Sequence, residues 1–170
     1  MKAFLIKDKV LVEDPKAKAF YDKSMFGKIV EERLELSIEE ALFLAEKKKI
    51  TITNKKGEPQ NLQKILEKAE KQTPGFWTKY TVFRDMRTRG YIVKTGLKYG
   101  SDYRVYERGG RPGKTHAKWL MYCVNEKESY AWHKFAAMNR VAHSVKKNLI
   151  IAIVDDESSI TYYEISWIRP

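Results

Sequence analysis

The chain has 170 residues, which fits one domain or two small ones, and a 43% hydrophobic content that is sufficient for a packed core. Lys and Arg number 33 against 22 Asp and Glu, and the single cysteine, Cys123, excludes a disulfide framework and a thiolate zinc site. No apolar run approaches the roughly 18 residues of a membrane span, and charges interrupt the N-terminus, so we expect a cytoplasmic protein with no membrane partner.

The positive charge is uneven along the chain. Residues 1–73 contain 16 basic and 13 acidic side chains, whereas residues 74–170 contain 17 and 9. Between Lys79 and Lys114 there are ten Lys or Arg and only three acids. This asymmetry favours a polyanionic partner for the C-terminal half, although a basic surface that binds nothing has the same composition.

Residues 1–72 predict a small α+β domain. Alternating and periodic apolar positions indicate strands at Ala3–Ile6, Val10–Glu13, Arg33–Ser37 and Ile50–Thr53, and helices at Pro15–Lys23, Ser37 to about Lys48, and Asn61–Lys71. The second helix starts with the capping-box pattern Ser37-Ile-Glu-Glu40, in which the Ser and Glu side chains satisfy each other's backbone amides.

Residues 73–170 predict an α/β domain with a mixed sheet. Thr73 as N-cap and Pro74 at the first helical position indicate a helix that stops at Gly90. The remaining elements complete an α-β-β-β-α-β-β order: strands at Tyr91–Thr95, Tyr103–Glu107 and Ala117–Val124, a helix at about Glu128–His143, and strands at Leu149–Val154 and Thr161–Ile168. Cys123 lies in an apolar strand and is expected to be a small buried hydrophobe.

The segment Arg89–Gly109, RGYIVKTGLKYGSDYRVYERG, combines tyrosines, glycines and cations and suggests acid–base chemistry on a phosphodiester. Cleavage of RNA without a metal requires a base for the 2′-hydroxyl, an acid for the leaving 5′-oxygen and a cation for the charged transition state. Tyr, His and Lys can fill these three roles. The acids of this region, Asp85, Asp102 and Glu107, have no recognisable ligand spacing, so we expect no metal or other cofactor.

Three histidines are candidates for proton transfer. His116 lies in the basic loop Gly113–Lys118, where neighbouring cations favour its neutral form, and a solvated surface histidine is the alternative. His133 and His143 fall on the last helix, where a packed or capping role is expected.

Tyrosines and lysines have competing structural roles as well. Tyr103 and Tyr106 are three apart, so they point to opposite sides of their strand, and we expect only one of them to face the core. Lys146 and Lys147 are expected to end a helix, where cations also stabilise the helix dipole.

Four ordered motifs carry a resemblance to a known family. They are the run RTRGYIVKTGLKYGSDYRVYERG, the histidine of KTHAKWL, the segment NRVAHSVKKNLIIAIVDD and the terminal YYEISWIRP. In this order they resemble the catalytic domain of the archaeal tRNA-intron splicing endonucleases. The resemblance covers Arg84–Pro170 closely and the N-terminal domain more loosely, and it implies a restriction-endonuclease-like fold for the C-terminal domain.

The resemblance assigns catalytic roles to three residues. Tyr106, in the VYERG context, corresponds to the general base, His116 to the general acid, and Lys147 to the cation that stabilises the transition state. The implied reaction excises introns from precursor tRNA at a bulge–helix–bulge and leaves a 2′,3′-cyclic phosphate and a 5′-hydroxyl without a metal. A free phenol has a pKa of about 10, so a tyrosine base needs cationic neighbours.

The resemblance also implies RNA-binding and assembly residues. Arg140 and Trp167 correspond to the pair that clamps a flipped bulge base, although Trp167 could instead pack on the sheet as a strand residue. Asp155, Asp156 and Glu157 occupy the acidic turn that docks into a neighbouring subunit in the family, although polar residues are common in any hairpin turn. Two cleavage sites and one catalytic set per chain imply a homotetramer, with a catalytic subunit that needs a separate structural chain as the alternative.

Two other functional classes compete with this interpretation. One is a metal-dependent DNA nuclease of the same broad fold, and the other is a non-catalytic RNA-binding subunit. Retention of Tyr106, His116 and Lys147 argues against the second.

Overall fold

The chain folds into two compact units, Met1–Trp77 and Thr78–Pro170. The computed structural model describes residues 1–168 and 170, and each unit has its own mixed sheet. The sequence predicts a mixed sheet for the second unit and an α+β domain for the first. Gln72, where we expect the domain boundary, is the last residue of a helix in the first unit.

The first unit is built on a five-stranded sheet with the order β3-β4-β2-β1-β5, in which β5 is parallel to β1 and the other neighbours are antiparallel. The strands are β1 (Lys2–Ile6), β2 (Lys9–Val12), β3 (Lys28–Val30), β4 (Arg33–Ser37) and β5 (Thr51–Thr53), and the helices are α1 (Lys18–Ser24), α2 (Ile38–Glu46) and α3 (Leu62–Gln72). The predicted first hairpin is confirmed, whereas α2 ends earlier than expected. Strand β3 was not predicted, because Ile29 and Val30 are adjacent and two glutamates follow them, so no alternation of apolar and polar residues is visible.

Glu40 fixes the start of α2 with a buried carboxylate. Ser37 Oγ accepts the Glu40 N–H at 3.3 Å while Glu40 Oε2 accepts the Ser37 N–H at 3.1 Å, which confirms the capping box. The other oxygen, Oε1, accepts the N–H of Gly27 at 2.9 Å. Gly27 has a φ of +64°, and a Cβ there would lie 2.3 Å from the Glu35 carbonyl oxygen, so only glycine fits. One carboxylate therefore connects α2 to the segment before β3.

Glu35 of β4 lies between two lysines on the same sheet. Its carboxylate is 3.0 Å from the ammonium of Lys9 and 3.1 Å from that of Lys28, and its side chain is only 16% exposed. Hydrogen bonds from Lys9 and then Lys28 lower the pKa of Glu35 below its ordinary value. The ionised form of this carboxylate is therefore favoured in the folded state.

The junction between α3 and α4 (Phe76–Thr88) differs from the prediction. Thr73 is the C-cap of α3, and α4 begins only after Gly75, so the prediction of Thr73 as N-cap and Pro74 as first helical residue is wrong. The carboxylate of Glu70 accepts the N–H groups of Gly75 at 2.8 Å and Trp77 at 2.7 Å instead. A side chain from the previous helix thus satisfies amides that a local cap was expected to satisfy.

The second unit contains most of α4 and a sheet with the order β10-β9-β8-β7-β6. Strands β8 and β9 are parallel and all other neighbours antiparallel, which confirms the predicted mixed sheet and the α-β-β-β-α-β-β order. The further elements are β6 (Ile92–Thr95), β7 (Tyr103–Tyr106), β8 (Trp119–Asn125), α5 (Trp132–Ser144), β9 (Asn148–Val154) and β10 (Ile160–Ile165).

Helices cover both faces of this sheet. On one face, the ring of Tyr103 lies 5.9 Å from that of Phe83 in α4. On the other face, α5 packs on β8 and β9 through a buried cluster of Leu120, Met138, Ala142 and Leu149. The cluster and the register place Leu120 opposite Arg104 of β7, so the side chain of Arg104 belongs to the α5 face.

Cys123 is buried in β8, which confirms the sequence interpretation. Burial raises the pKa of its thiol well above the ordinary value. Its backbone N–H donates to Asp102 at 2.8 Å, and Asp102 also pairs with Lys79 at 2.8 Å. The thiol therefore behaves as a packed apolar group.

Helix α5 and strand β10 of the second unit are both shorter than predicted. Helix α5 begins at Trp132 and not at Glu128, because Glu128 closes a turn in which its carboxylate accepts the Asn125 N–H at 3.0 Å. Strand β10 ends at Ile165 and does not continue to Ile168.

Candidate active site

The three predicted catalytic residues lie at the ends of three neighbouring strands. Tyr106 is the last residue of β7, His116 lies just before β8, and Lys147 directly precedes β9. Because β7, β8 and β9 are neighbours in the sheet and these positions fall at the same edge, the chain segments that carry the three residues meet there.

Backbone hydrogen bonds extend the sheet through this edge. The N–H of Lys118 donates to the carbonyl of Val105 at 2.9 Å, and the N–H of Asn148 donates to the carbonyl of Lys118 at 3.0 Å. The two bonds connect the last residues of β7, the residue before β8 and the first residue of β9 in one ladder. Residues one or two positions from these bonds are therefore held in register.

Tyr103 and Tyr106 point to opposite faces, as expected, but both are buried, with exposures of 6% and 4%. The expectation that only one faces the core is wrong, because both faces of the sheet are covered. The hydroxyl of Tyr103 donates to the carbonyl of Lys79 in α4 at 3.3 Å, which gives this residue a structural partner. The ring of Tyr106 instead lies 5.9 Å from the guanidinium of Arg104. Only Tyr106 belongs to the face that Lys147 approaches.

The loop between β7 and β8 folds back over Tyr106. A Cβ placed on Gly110 would lie 2.8 Å from the Cβ of Tyr106 and 2.9 Å from the carbonyl oxygen of Glu107, so the loop backbone is in close contact with the tyrosine. Farther along, the N–H of Arg111 donates to the hydroxyl of Thr115 at 2.9 Å, and the N–H of Thr115 donates back to the carbonyl of Arg111 at 2.8 Å. This closed turn ends at Thr115, one residue before His116.

His116 follows that turn and is exposed. Its position at the sheet edge fits the role of a proton donor to a bound ligand, and its exposure also fits the solvated-surface alternative. His133 of α5 is exposed as well, whereas His143 is exposed but contacts Trp167. The catalytic role of His116 therefore remains a prediction.

Lys147 lies beyond α5, and the expectation that Lys146 and Lys147 end the helix is wrong. The helix stops at Ser144, Lys146 adopts a left-handed φ of 54°, and the N–H of Lys147 donates to the carbonyl of Ala142 at 2.9 Å. This arrangement is the Schellman type of helix end, which turns the chain sharply into the next element. It delivers half-buried Lys147 to the start of β9.

Tyr99, which no sequence motif singled out, lies beside Lys147. The Lys147 ammonium is 5.9 Å and the Lys98 ammonium 4.8 Å from the Tyr99 ring centroid. A hydrogen bond from Lys98 lowers the pKa of Tyr99, and the charges of Lys98, Lys147 and Arg104 add to this effect. The available signal was the density of tyrosines and cations in Arg89–Gly109, but sequence spacing could not show which ring meets which cation.

The two predicted clamp residues lie near the end of α5. Arg140 is an exposed residue of the helix. Trp167 is 51% exposed, and its ring lies 4.5 Å from that of His143, one helical turn after Arg140. Strand β10 ends at Ile165, so Trp167 is not the terminal strand residue that the alternative assumed. Two exposed side chains on neighbouring positions fit a clamp, which stays a prediction.

The acidic segment after β9 forms a tight turn. Asp155 accepts the N–H groups of Glu157 at 2.9 Å and Ser159 at 2.8 Å with one carboxylate oxygen. Asp156 pairs with Lys127 at 2.5 Å on the surface, and Glu157 is exposed. The turn is therefore built by Asp155, which leaves the predicted docking role of its neighbours as a prediction.

Residues 1–168 and 170 contain no group of three or more His, Cys, Asp or Glu side chains that could hold a metal ion. None of the helices within the same residues combines the length and apolar character needed to cross a bilayer.

Comparison with protein families places this chain in a defined class of enzyme. The family model for the tRNA intron endonuclease catalytic C-terminal domain matches residues 76–162, and the model for the tRNA intron endonuclease N-terminal domain matches residues 1–66. The chain belongs to the tRNA intron endonuclease family. The predicted resemblance is thereby confirmed, and it extends to the N-terminal domain, which the sequence motifs matched only loosely.

Curated relatives agree with this assignment over nearly the whole chain. The tRNA-splicing endonuclease of Methanothermobacter thermautotrophicus is 44% identical over 91% of this chain and 89% of its own length. Those of Thermococcus kodakarensis and Pyrococcus furiosus are 40% and 35% identical, each over 98% of this chain and over 97% and 95% of their own lengths. The prediction that the chain is an endonuclease of this family is thus confirmed.

Proposed function

We propose that this protein excises introns from precursor tRNA by cutting bulge–helix–bulge sites without a metal ion. The observation that supports the proposal is the meeting of Tyr106, His116 and Lys147 at one sheet edge, in a family of tRNA intron endonucleases. Shape recognition at single-stranded bulges suits RNA, because the deep A-form major groove is closed to side chains.

The proposed chemistry is an internal transfer at the scissile phosphate. Tyr106 removes the proton of the 2′-hydroxyl, whose oxygen attacks the phosphorus as the bond to the 5′-oxygen breaks. His116 gives its proton to the departing 5′-oxygen, and Lys147 stabilises the charge on the phosphate oxygens. The products are a 2′,3′-cyclic phosphate and a 5′-hydroxyl. Each proton transfer contributes roughly 10²–10⁴ in rate, and charge stabilisation contributes on a similar scale.

Two surface features support substrate binding and assembly in this proposal. Arg140 and Trp167 hold a flipped bulge base by stacking and cation–π contact, each base contributing roughly 1–3 kcal/mol. The turn Asp155–Glu157 docks into a second copy of the chain, so that two active subunits reach two cleavage sites. A homotetramer of 19.9 kDa chains is the expected assembly, and its mass can be measured by light scattering.

The decisive experiment uses the purified chain alone with a bulge–helix–bulge precursor RNA in excess EDTA. We expect two cuts, 5′ ends that a kinase labels directly, and 3′ ends that resist phosphatase until the cyclic phosphate is opened. A matched RNA with a 2′-deoxy nucleotide at each scissile position should not be cut, because the nucleophile is absent. Cleavage of that deoxy RNA would show that the 2′-hydroxyl is not the nucleophile, and a requirement for divalent ions would show a metal-dependent mechanism.

Point variants test the individual roles. His116→Ala should slow single-turnover cleavage at least about a hundredfold at nearly unchanged RNA affinity, whereas His133→Ala, at another exposed histidine, should cleave normally. Lys147→Asn should slow cleavage about a hundredfold or more, whereas Lys146→Asn should be neutral because Asn tolerates the left-handed backbone there. Equal rates within either pair would refute the corresponding role.

The alternative assembly remains testable in the same experiment. If the chain is a catalytic subunit that needs a separate structural chain, the purified protein binds the RNA without cutting it.

Arg140→Ala tests the proposed clamp, because loss of the clamp should weaken productive binding of the bulge and leave the fold intact.

A further inference from the structure

The turn between β6 and β7 presents a tyrosine in a fixed orientation. A short 3₁₀ turn, Leu97–Tyr99, is closed at its base by Ser101, whose hydroxyl lies 3.4 Å from the Gly96 carbonyl and 3.2 Å from the Tyr103 carbonyl. A Cβ on Gly96 would lie 2.1 Å from that hydroxyl, so the base of the turn is tightly packed. The turn therefore has little freedom to reposition Tyr99.

The ring of Tyr99 is anchored from below by the core. It packs against the buried cluster that contains Leu120, Ala142 and Leu149. Ala142 accepts the N–H of Lys147 at 2.9 Å, and Leu149 follows it two residues later in β9. Ala142 and Leu149 of this cluster thus contribute both to the packing of the tyrosine ring and to the position of the backbone at and after Lys147.

The lysine has a fixed backbone but a flexible side chain. Four rotatable bonds separate its ammonium from the chain, so a fixed backbone does not by itself place the charge. Among residues 1–168 and 170, Lys147 has no carboxylate ion-pair partner, and its ammonium lies 5.9 Å from the centroid of the Tyr99 ring. A distance of about 6 Å from the centroid is at the limit at which a ring face attracts an ammonium.

We propose that Tyr99 is a positioning residue for Lys147, whose ammonium it holds through the face of its ring. The inference rests on the proposed function, because it assigns to the ring the task of directing the cation that stabilises the cleaved phosphate. An aromatic partner suits this task better than an acid. A carboxylate would neutralise the ammonium, whereas a ring holds it and leaves its charge available to phosphate oxygens.

Arg104 adds a further positive charge to the same face of the sheet, which favours the binding of an anion there. Its guanidinium lies near the ring of Tyr106, and its Nε atom is buried without a hydrogen-bond partner among the described residues. Its charge also contributes to the lowered pKa of Tyr99. Arg104 lies beside the Tyr106 ring, and Lys98 and Lys147 lie beside the Tyr99 ring, so positive charge accumulates on this face of the sheet.

The test separates the ring from its hydroxyl with two variants of one residue. Tyr99→Phe keeps the ring face and should cleave within about threefold of the wild-type rate, whereas Tyr99→Leu should be about tenfold slower at unchanged RNA affinity. A tenfold loss corresponds to about 1.4 kcal/mol, which lies in the range of a partly desolvated cation–π contact. Urea unfolding of each variant, with Tyr99→Met as a second apolar replacement, controls for loss of the fold.

A double-variant cycle with Lys147→Asn then distinguishes positioning from a purely structural role. If Tyr99 acts through Lys147, Tyr99→Leu should cause no further loss once the lysine is absent. Losses that multiply in the double variant, a Tyr99→Phe rate as low as that of Tyr99→Leu, or a Tyr99→Leu rate equal to wild type would each overturn the proposal. A Lys147→Asn variant that cleaves normally would instead refute the proposed function itself.

Discussion

A methyl group on Gly110 should disturb the candidate site through the loop that covers Tyr106. The added Cβ would lie 2.8 Å from the Tyr106 Cβ and 2.9 Å from the Glu107 carbonyl oxygen. Ordinary contacts of this kind begin near 3.4 Å, so the loop or the tyrosine must move by about 0.5 Å. Since a misplacement of 1 Å can reduce a rate about a hundredfold, we expect Gly110→Ala to slow cleavage about tenfold.

The neighbouring Gly109 provides a matched control. Its φ is +76°, but nothing lies within 4 Å of its Cβ position, so Gly109→Ala strains the backbone by about 1–2 kcal/mol without creating a clash. Overpacking at Gly110 should cost a similar 1–3 kcal/mol of stability, which urea unfolding measures. The two variants should therefore match in stability and differ in single-turnover cleavage of precursor RNA. Wild-type cleavage by Gly110→Ala would refute the close approach of the loop to Tyr106 as a functional constraint.

Three further predictions concern stability and can be measured by urea unfolding. Glu40→Ala should lower the free energy of unfolding by about 2–4 kcal/mol, because two amides lose a buried charged acceptor. Glu39→Ala, in the same helical turn, should lower it by less than about 1 kcal/mol. Similar losses for the two variants would contradict the bridging role of Glu40. The carboxylate of Glu35 has a lowered pKa in the folded state, so its contribution is complete above the ordinary pKa of 4.5 and disappears as the pH falls through the lowered value. Glu35→Gln should therefore be destabilised at neutral pH and show a weaker loss of stability on acidification, and an unchanged acid slope would contradict this. Leu149→Ala should cost about 2–5 kcal/mol because this side chain is fully buried beside the candidate site, and a loss below about 1 kcal/mol would contradict tight packing there.

Local signals predicted much of the fold. The capping box at Ser37 was confirmed, because both of its partners lie within four residues and need no tertiary contact. Strand β4 and the element order of the second unit were also confirmed, because apolar periodicity of 2 or 3.6 residues is visible in the chain itself. Gly90 stopped α4 as predicted, with a φ of +89°.

Non-local competition explains the errors. Thr73 lost its capping role because Glu70, from the preceding helix, reaches the amides at the start of α4. Tyr103 and Tyr106 are both buried because helices and a loop cover both faces of the sheet, a fact that strand alternation alone does not contain. Lys147 lies beyond α5 because a left-handed residue ends the helix before it.

The sequence by itself determined the family, the two-part organisation and the identity of the residues on which the proposed chemistry depends. The order of the motifs is sufficient for this, because residue types and their order along the chain can be compared without knowing the three-dimensional structure. Only the tertiary structure decided that three strand ends meet at one edge, that Tyr106 and not Tyr103 belongs to the face of Lys147, and that Tyr99 lies beside that lysine. These are contacts between residues far apart along the chain, and they depend on strand register and on which face each helix covers. The region rich in tyrosines and cations was visible in the sequence, but the pairing of ring with cation was a property of the folded sheet.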